Sequence, residues 1–355
     1  MGDAGDDITA RRKDAHLDLC AEGDVEPREN DTLLSCAHLV HCAMPELALE
    51  DVDLSTPFLG KRLKAPLLIT GMTGGTDRAR QVNRDLAAVA EQFGLAFGVG
   101  SQRAMSEDPA RAETFQVREV APTAAVLGNV GLQQAAAMGV DAVVRLVDGI
   151  GADGLAVHLN PAQELAQPEG DRDFRGGYAV LRQLAKRFGD RLLVKETGCG
   201  LSPAVARRLS ECGVKAVDVS GLGGTSWVRV EQLRTQGLAA EVAEGFAGWG
   251  IPTAAAVASV RKAVGEGVTV VAAGGIRTGL DVAKCLGLGA DLAGMALPLF
   301  RAQQRGGKEG AARAVEVVVQ GLRRAVLLAG AGTPRELRQK TVVVTGELKD
   351  WLEAL

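Results

Sequence analysis

Aromatic side chains are scarce: phenylalanine, tryptophan and tyrosine together make up 3% of the 355 residues. A core of that composition is filled by Ala, Val, Leu and Ile, which suits a parallel sheet covered by helices and argues against an aromatic-rich sandwich. Histidine is sparse too, and the six cysteines (Cys20, Cys36, Cys42, Cys199, Cys212, Cys285) form no CxxC pair, so a structural zinc site is disfavoured. Dispersed thiols of this kind fit a reduced, cytoplasmic chain. Cys199, in a polar glycine-rich turn, is either a reactive thiol or a tolerated one. No apolar run reaches membrane-spanning length without interruption, and acidic residues precede Arg11, Arg12 and Lys13, the reverse of a signal peptide; no membrane insertion is expected. The formal net charge is -4 and no long basic stripe is present, which argues against nucleic acid as a partner and leaves a small phosphate ligand open.

Glycine, at 45 residues, is plentiful, and it punctuates a repeating pattern. Residues 1–10 are small and acidic and read as a disordered tail. Residues 11–64 read as an N-terminal arm and lead-in segment, with a basic head at Arg11, Arg12, Lys13 and His16 and short strands at 47–52 and 56–59. From 65 to 335 the chain alternates short apolar strands with helices: strands at 67–70, 95–99, 124–127, 155–159, 192–195, 216–219, 268–272 and 292–293. The helices between them fall at 77–93, around 112–120, 132–150 with a break near Gly139, 178–188, 203–212, 254–264, 281–288 and 309–329. Eight strand–helix units are the number needed for a closed (β/α)8 TIM barrel, with the residues before 65 as an N-terminal extension. A doubly wound open sheet is the alternative architecture. Residues 336–355 read as a C-terminal tail packing on the barrel.

In a barrel of this type the C-terminal strand ends form the functional face. Here they carry Thr70, Ser101 with Gln102 and Arg103, Asn129, His158 with Asn160, Lys195 with Glu196, Ser220 with Thr225, Gly274 with Gly275, and Gly294 with Ala296. Each has a plain explanation as a turn residue, but a purely structural barrel needs no Arg, His and Lys at these positions. AGGIRTG after strand seven and GMALP after strand eight offer backbone N–H groups to a phosphate, assisted by the start of a short helix near Pro298. No G-x-G-x-x-G opens a βαβ unit, so dinucleotide binding of the Rossmann type is disfavoured. Lys195 has three readings: a Schiff-base amine, a fixed cation beside a flavin, or a lysine neutralised by Glu196. The adjacent carboxylate weakens the first by holding the amine protonated.

Taken together, RRKDAH, MTGG, GSQR, HLNPAQE with QPEGDRDFRG, VKETGCG, SGLGGTSW and AGGIRTG resemble the type 2 isopentenyl-diphosphate isomerases, FMN-dependent barrel enzymes, from about residue 11 past residue 330. HLNPAQE followed by QPEGDRDFRG is the specific part; MTGG and GGIRTG are shared more widely among FMN barrels. The resemblance implies interconversion of isopentenyl and dimethylallyl diphosphate with reduced FMN and Mg2+, NADPH as reductant, and a homotetramer or homo-octamer. It implies catalytic roles for Gln163 and His158, and a metal ligand in Glu164. Substrate contacts fall to Arg11, Arg12, Lys13, Arg103, His158, Asn160 and Gln163. FMN contacts fall to Thr70, Met72, Thr73, Ser101, Asn129, Lys195, Ser220, Thr225, Gly274, Gly275, Arg277, Gly294 and Ala296. The rivals are another FMN barrel, oxidising a 2-hydroxy acid or a purine nucleotide, and a non-catalytic phosphate-binding protein. A hydroxy-acid oxidase needs a histidine beside a carboxylate-binding arginine, which Arg277 lacks; a purine enzyme needs a catalytic cysteine, for which Cys199 is the candidate.

Overall fold

The computed structural model describes residues 3–27 and 31–355, with side chains from residue 12 onward. Eight parallel strands close into a barrel in sequence order: β1 (Leu67–Ile69), β2 (Ala96–Gly98), β3 (Ala125–Gly131), β4 (Gly154–His158), β5 (Leu192–Lys195), β6 (Ala216–Asp218), β7 (Thr269–Ala272) and β8 (Leu292–Met295), with β8 pairing back onto β1. The open-sheet alternative is thereby removed. Alternation explains why the strands read as continuous apolar runs: Leu193 packs in the barrel interior while its neighbours Leu192 and Val194 pack outward against the helices. The interior is built from small and branched residues such as Ala96, Ala125, Leu127, Ala156 and Val271. A hairpin, Thr56–Phe58 with Lys61–Leu63, adds Phe58 and Leu63 to that same interior cluster.

The helix Asp77–Phe93 shows how local signals set the boundaries. The Thr76 side chain accepts from the Ala79 amide at its start, and Gly94 ends it at φ 63°. Its buried face carries Val82, Leu86, Val89 and Ala90, at helical spacing. The expected break near Gly139 separates Leu132–Met138 from Val140–Gly149. The final long helix, Leu297–Leu328, is interrupted at Gly306 and Gly307, so a short helix does follow β8 at Pro298.

Four expectations are corrected. The stretch 112–120 is not a helix; Pro109–Thr114 is a 3-10 turn, and the residues after it are irregular. These residues wrap over the turn that follows β1: Thr114 Oγ1 accepts from the Gly75 amide at 2.9 Å, and a Cβ on Gly74 would lie 1.9 Å from the Phe115 ring. Tertiary demand overrides helical propensity there. Residues 47–52 contain a 3-10 turn, Leu49–Asp51, in place of a strand, because Asp51 caps the Ala48 amide. The N-terminal helix runs Asp3–Glu22, through most of the expected disordered tail, as a helix anchored at one end extends at small cost per residue. Finally, the lead-in segment and the C-terminal stretch pair with each other: Ala37–Leu39 lies antiparallel to Val342–Val344, and Gly346–Ala354 is a helix with Leu348 buried. The tail boundary at 335/336 falls within the short helix Pro334–Leu337.

The hairpin plug carries a stability prediction. Phe58→Ala removes the largest side chain of the barrel interior and is expected to cost about 3–5 kcal/mol in urea unfolding, without altering ligand affinity at the opposite mouth.

Candidate active site

The inward positions of the strands have two levels. Below lie the apolar residues of the interior; one inward step further along each strand, at the C-terminal mouth, come Thr70, Asn129, His158, Lys195, Asp218 and Gly294. His158, Lys195 and Asp218 are direct register partners across β4, β5 and β6. The same period turns Glu196 away from Lys195. The Glu196 carboxylate folds into the turn after β5, and the Lys195 ammonium donates to the Glu196 backbone carbonyl at 2.5 Å. The reading of Lys195 as neutralised by the Glu196 side chain is therefore corrected.

The mouth holds two adjoining cavities that share Gly71, Met72, Lys195, Thr197 and Trp227. Arg12, Lys13, Met72, Thr73, Ser101, Arg103, Asn129, His158, Asn160, Gln163, Glu164 and Lys195 line one. Thr70, Met72, Lys195, Ser220, Thr225, Gly274, Gly275, Arg277, Gly294 and Ala296 line the other. Most of the residues singled out in the sequence thus line these two cavities; Gln102 does not, Glu196 and Cys199 line a separate one, and the Arg11 side chain lies outside the described residues. Two belong there with a qualification. Arg277 is paired with Glu26, a residue of the lead-in segment, and Arg103 donates to Glu107 at 2.8 Å.

In the first cavity cations crowd together. Burial, followed by the charges of Arg12 and Arg103, pulls the Lys13 ammonium down to about 8. His158 is held down to about 3 by burial and then by Lys195 and Lys13. Its tautomer follows from Asn129, whose Nδ2 donates to the Val99 carbonyl at 3.0 Å; the Asn129 Oδ1 thus accepts from His158 Nδ1 at 2.8 Å, leaving Nε2 with its lone pair. The Arg12 Nε and the Thr73 hydroxyl are buried without hydrogen-bond partners. Such a set, cations repelling one another beside orphaned donors, fits an anionic ligand of high charge density.

Opposite the cations stands a carboxylate clamp built on the helix Pro161–Ala166, whose Pro161 opens it directly after β4. Gln163 is tied at both ends: its Oε1 accepts from Asn160 at 3.1 Å, and its Nε2 donates to Glu231 Oε1 at 3.0 Å. Glu164 accepts from Asn160 at 2.8 Å and from the Asp171 amide at 2.9 Å. No group of three metal-ligating side chains exists among the described residues, so a metal at Glu164 needs ligand oxygens to complete its shell.

Glu231 is the residue that sequence reasoning missed. It lies in the helix Trp227–Arg234, within the stretch after β6 that reads only as a long excursion. Fully buried, it also accepts from Gln167 at 2.8 Å and pairs with His16 at 3.0 Å and with Arg234. Burial opposes its charge, but the hydrogen bond and charge of His16, then Gln163 and Arg234, prevail and hold it at about 2. His16 itself is pushed toward its neutral form by burial, against Glu231. Of these two linked tendencies the ionised Glu231 is the firmer, because all four partners are able to donate to it and Arg234 brings a permanent charge. His16 stacks edge-on against Trp227, with ring centroids 5.2 Å apart.

The second cavity is shaped by backbone. Gly274 sits at φ 100°, and a Cβ there would lie 2.0 Å from the Gly221 carbonyl; Gly275 follows at φ 72°. Both residues line the second cavity in a backbone conformation that favours glycine, and neither position has room for a side chain. Ser220 takes the left-handed region at φ 37°, held by Asp218 Oδ1, which accepts from its amide at 2.9 Å. Cys199, by contrast, is pushed up to about 12 by burial and then Glu196, so it stays a thiol and offers no nucleophile.

The FMN-dependent dehydrogenase family matches residues 160–344 of this chain. The isopentenyl-diphosphate delta-isomerase of Metallosphaera sedula is 44% identical over 349 residues, covering 97% of this chain and 94% of that protein. That of Methanosarcina mazei is 43% identical over 350 residues, covering 97% and 94%. Among solved structures, a lactate oxidase of Pediococcus acidilactici superposes with TM-score 0.68 at 17% identity, covering 96% of this chain and 94% of that one. A mandelate oxidase gives 0.65 at 17% identity, covering 96% and 100%. The two oxidases establish the likeness of fold alone.

The Glu231 network makes the site sensitive to acid in a defined window. Because the folded carboxyl lies below the ordinary 4.5, its contribution to stability is complete above that pH and is lost as pH falls through about 2. Glu231→Gln is expected to flatten the pH dependence of the urea midpoint between these limits; an unchanged slope would remove Glu231 from the role of ionic anchor.

Proposed function

The chain belongs to the isopentenyl-diphosphate delta-isomerase family, and from that membership we propose that it interconverts isopentenyl and dimethylallyl diphosphate, using reduced FMN and Mg2+, with NADPH as reductant. The observation that carries the reading is the convergence of Arg12, Lys13, Arg103 and His158 on a cavity whose other wall is the doubly tethered Gln163. Arg103 and Arg12 have carboxylate partners in Glu107 and Glu169, but Lys13 and His158 face the cavity beside them, and a diphosphate would add the negative charge to hold the set together. Glu164 would hold Mg2+ together with diphosphate oxygens and water, and the ion would neutralise part of the diphosphate charge.

FMN would fit the second cavity, with the glycine turn of Gly274 and Gly275 beside its phosphate and Lys195 at the junction toward the ring. Moving the double bond requires a proton added at one carbon and another removed, and the reduced flavin supplies acid–base capacity beside the alkene when bound. Gln163, a poor acid or base by itself, orients the reacting end of the substrate; its amide is fixed in one orientation by Asn160 and Glu231. His158 lines the same cavity with its ring fixed by Asn129, and a neighbouring diphosphate would favour its protonated form, opposing the burial and the charges of Lys195 and Lys13 that hold it neutral. Trp227, Met72 and Leu17 supply the apolar part of the cavity lining.

The hydroxy-acid alternative loses support because Arg277, its carboxylate-binding candidate, is engaged by Glu26. Association into a tetramer or octamer draws support from an exposed apolar face, where Leu238 is 76% and Trp249 64% exposed beside Phe246 and Val242. All six cysteines are unpaired, in keeping with a cytoplasmic setting, and no helix among the described residues is long and apolar enough to cross a membrane.

A visible spectrum of the purified protein, followed by NADPH reduction and assay with isopentenyl diphosphate and Mg2+, tests the reading; absence of flavin bands defeats it. Glu164→Gln is expected to raise the Mg2+ requirement and substrate KM roughly tenfold, about 1.4 kcal/mol, with flavin retained. Gln163→Ala is expected to lower turnover by roughly a hundredfold, also with flavin retained. Loss of flavin in either variant overturns the division of roles.

A further inference from the structure

The turn after β5, residues 196–200, contains an arrangement that the reaction chemistry described above does not use. Glu196 Oε2 accepts from four successive backbone amides: Thr197 at 2.6 Å, Gly198 at 2.6 Å, Cys199 at 2.5 Å and Gly200 at 3.2 Å. Consecutive amides converging on one point form an anion nest, and here the nest is filled by the chain's own carboxylate. The Glu196 amide donates to the Asp218 carbonyl at 3.1 Å, so the residue is gripped on both sides. Its backbone carbonyl accepts from the Lys195 ammonium, 2.5 Å away.

Resting on the FMN reading, we infer that Glu196 is a positioning residue for the flavin. Its carboxylate locks the 197–200 turn, the turn fixes the direction of the 196 carbonyl, and that carbonyl holds Lys195 Nζ at the junction of the two cavities. A cation fixed there stabilises the anionic reduced ring more than the neutral oxidised ring. Burial drives the Glu196 carboxyl up, to about 7, while the four amides hold its charged form. A neutral amide side chain at this position leaves the nest with a weaker acceptor and an NH2 group facing N–H donors, which frees the turn to rotate and releases Lys195.

The test compares the FMN midpoint potential in wild type, Glu196→Gln, Lys195→Met and the double variant, alongside urea unfolding of each. Glu196→Gln is expected to bind reduced FMN roughly tenfold more weakly relative to oxidised FMN, read as a fall of about 30 mV for a two-electron couple. In the Lys195→Met background the same substitution is expected to add nothing. An unchanged potential in Glu196→Gln, or a shift that persists in the double variant, overturns the role while leaving the flavin reading intact. A wild type without flavin overturns both. Should Glu196→Gln unfold, Glu196→Asp, whose shorter arm withdraws from the amides, takes its place in the same cycle; unfolding of both makes Glu196 a structural brace and overturns the inference.

Discussion

The buried carboxylate of Glu231 is where three separate pieces of the chain meet over the barrel mouth. It receives His16 from the N-terminal helix, Gln163 and Gln167 from beside the helix after β4, and Arg234 from its own helix after β6. None of these pieces is part of the barrel sheet. An ionised group with four donors around it ties them together, because removing any one partner leaves a buried charge less satisfied. The orientation of Gln163, and with it the shape of the wall facing the cations, follows from that anchor.

On the other side of the cleft the electrostatics run the opposite way. Lys13, Arg12, Arg103, His158 and Lys195 face one cavity, where the pull of burial and mutual repulsion lowers the affinity of Lys13 and His158 for their protons. The site thus gathers mutually repelling cations on one wall of the cavity and the tethered Gln163 on the other.

The strands impose a further constraint through their period of two. Residues one inward step beyond the apolar layer reach the mouth of the barrel, which is why His158, Lys195 and Asp218 stand side by side. The next residue along β5, Glu196, must point outward, and the carboxylate finds its partners in its own turn. Two adjacent charged residues that look like an ion pair in one dimension are separated by the sheet into two different environments.

The sequence by itself determined the eight-strand barrel, the glycine turns after β7 and β8, and the gathering of HLNPAQE, Lys195 and GGIRTG at one face, because strand alternation and helix caps are local signals whose spacing survives in one dimension. It did not disclose Glu231, Gln167 or the role of His16, since each acquires meaning from a partner at long sequence distance, His16 and Glu231 meeting at 3.0 Å from opposite parts of the chain. The pairing of Ala37–Leu39 with Val342–Val344 escaped for the same reason. The stretch 112–120 was misread because its apolar residues answer to the β1 turn, with Phe115 against Gly74, and not to a helix of their own. Only the tertiary structure decided these, for burial and long-range hydrogen bonding exist between segments and leave no period in either one.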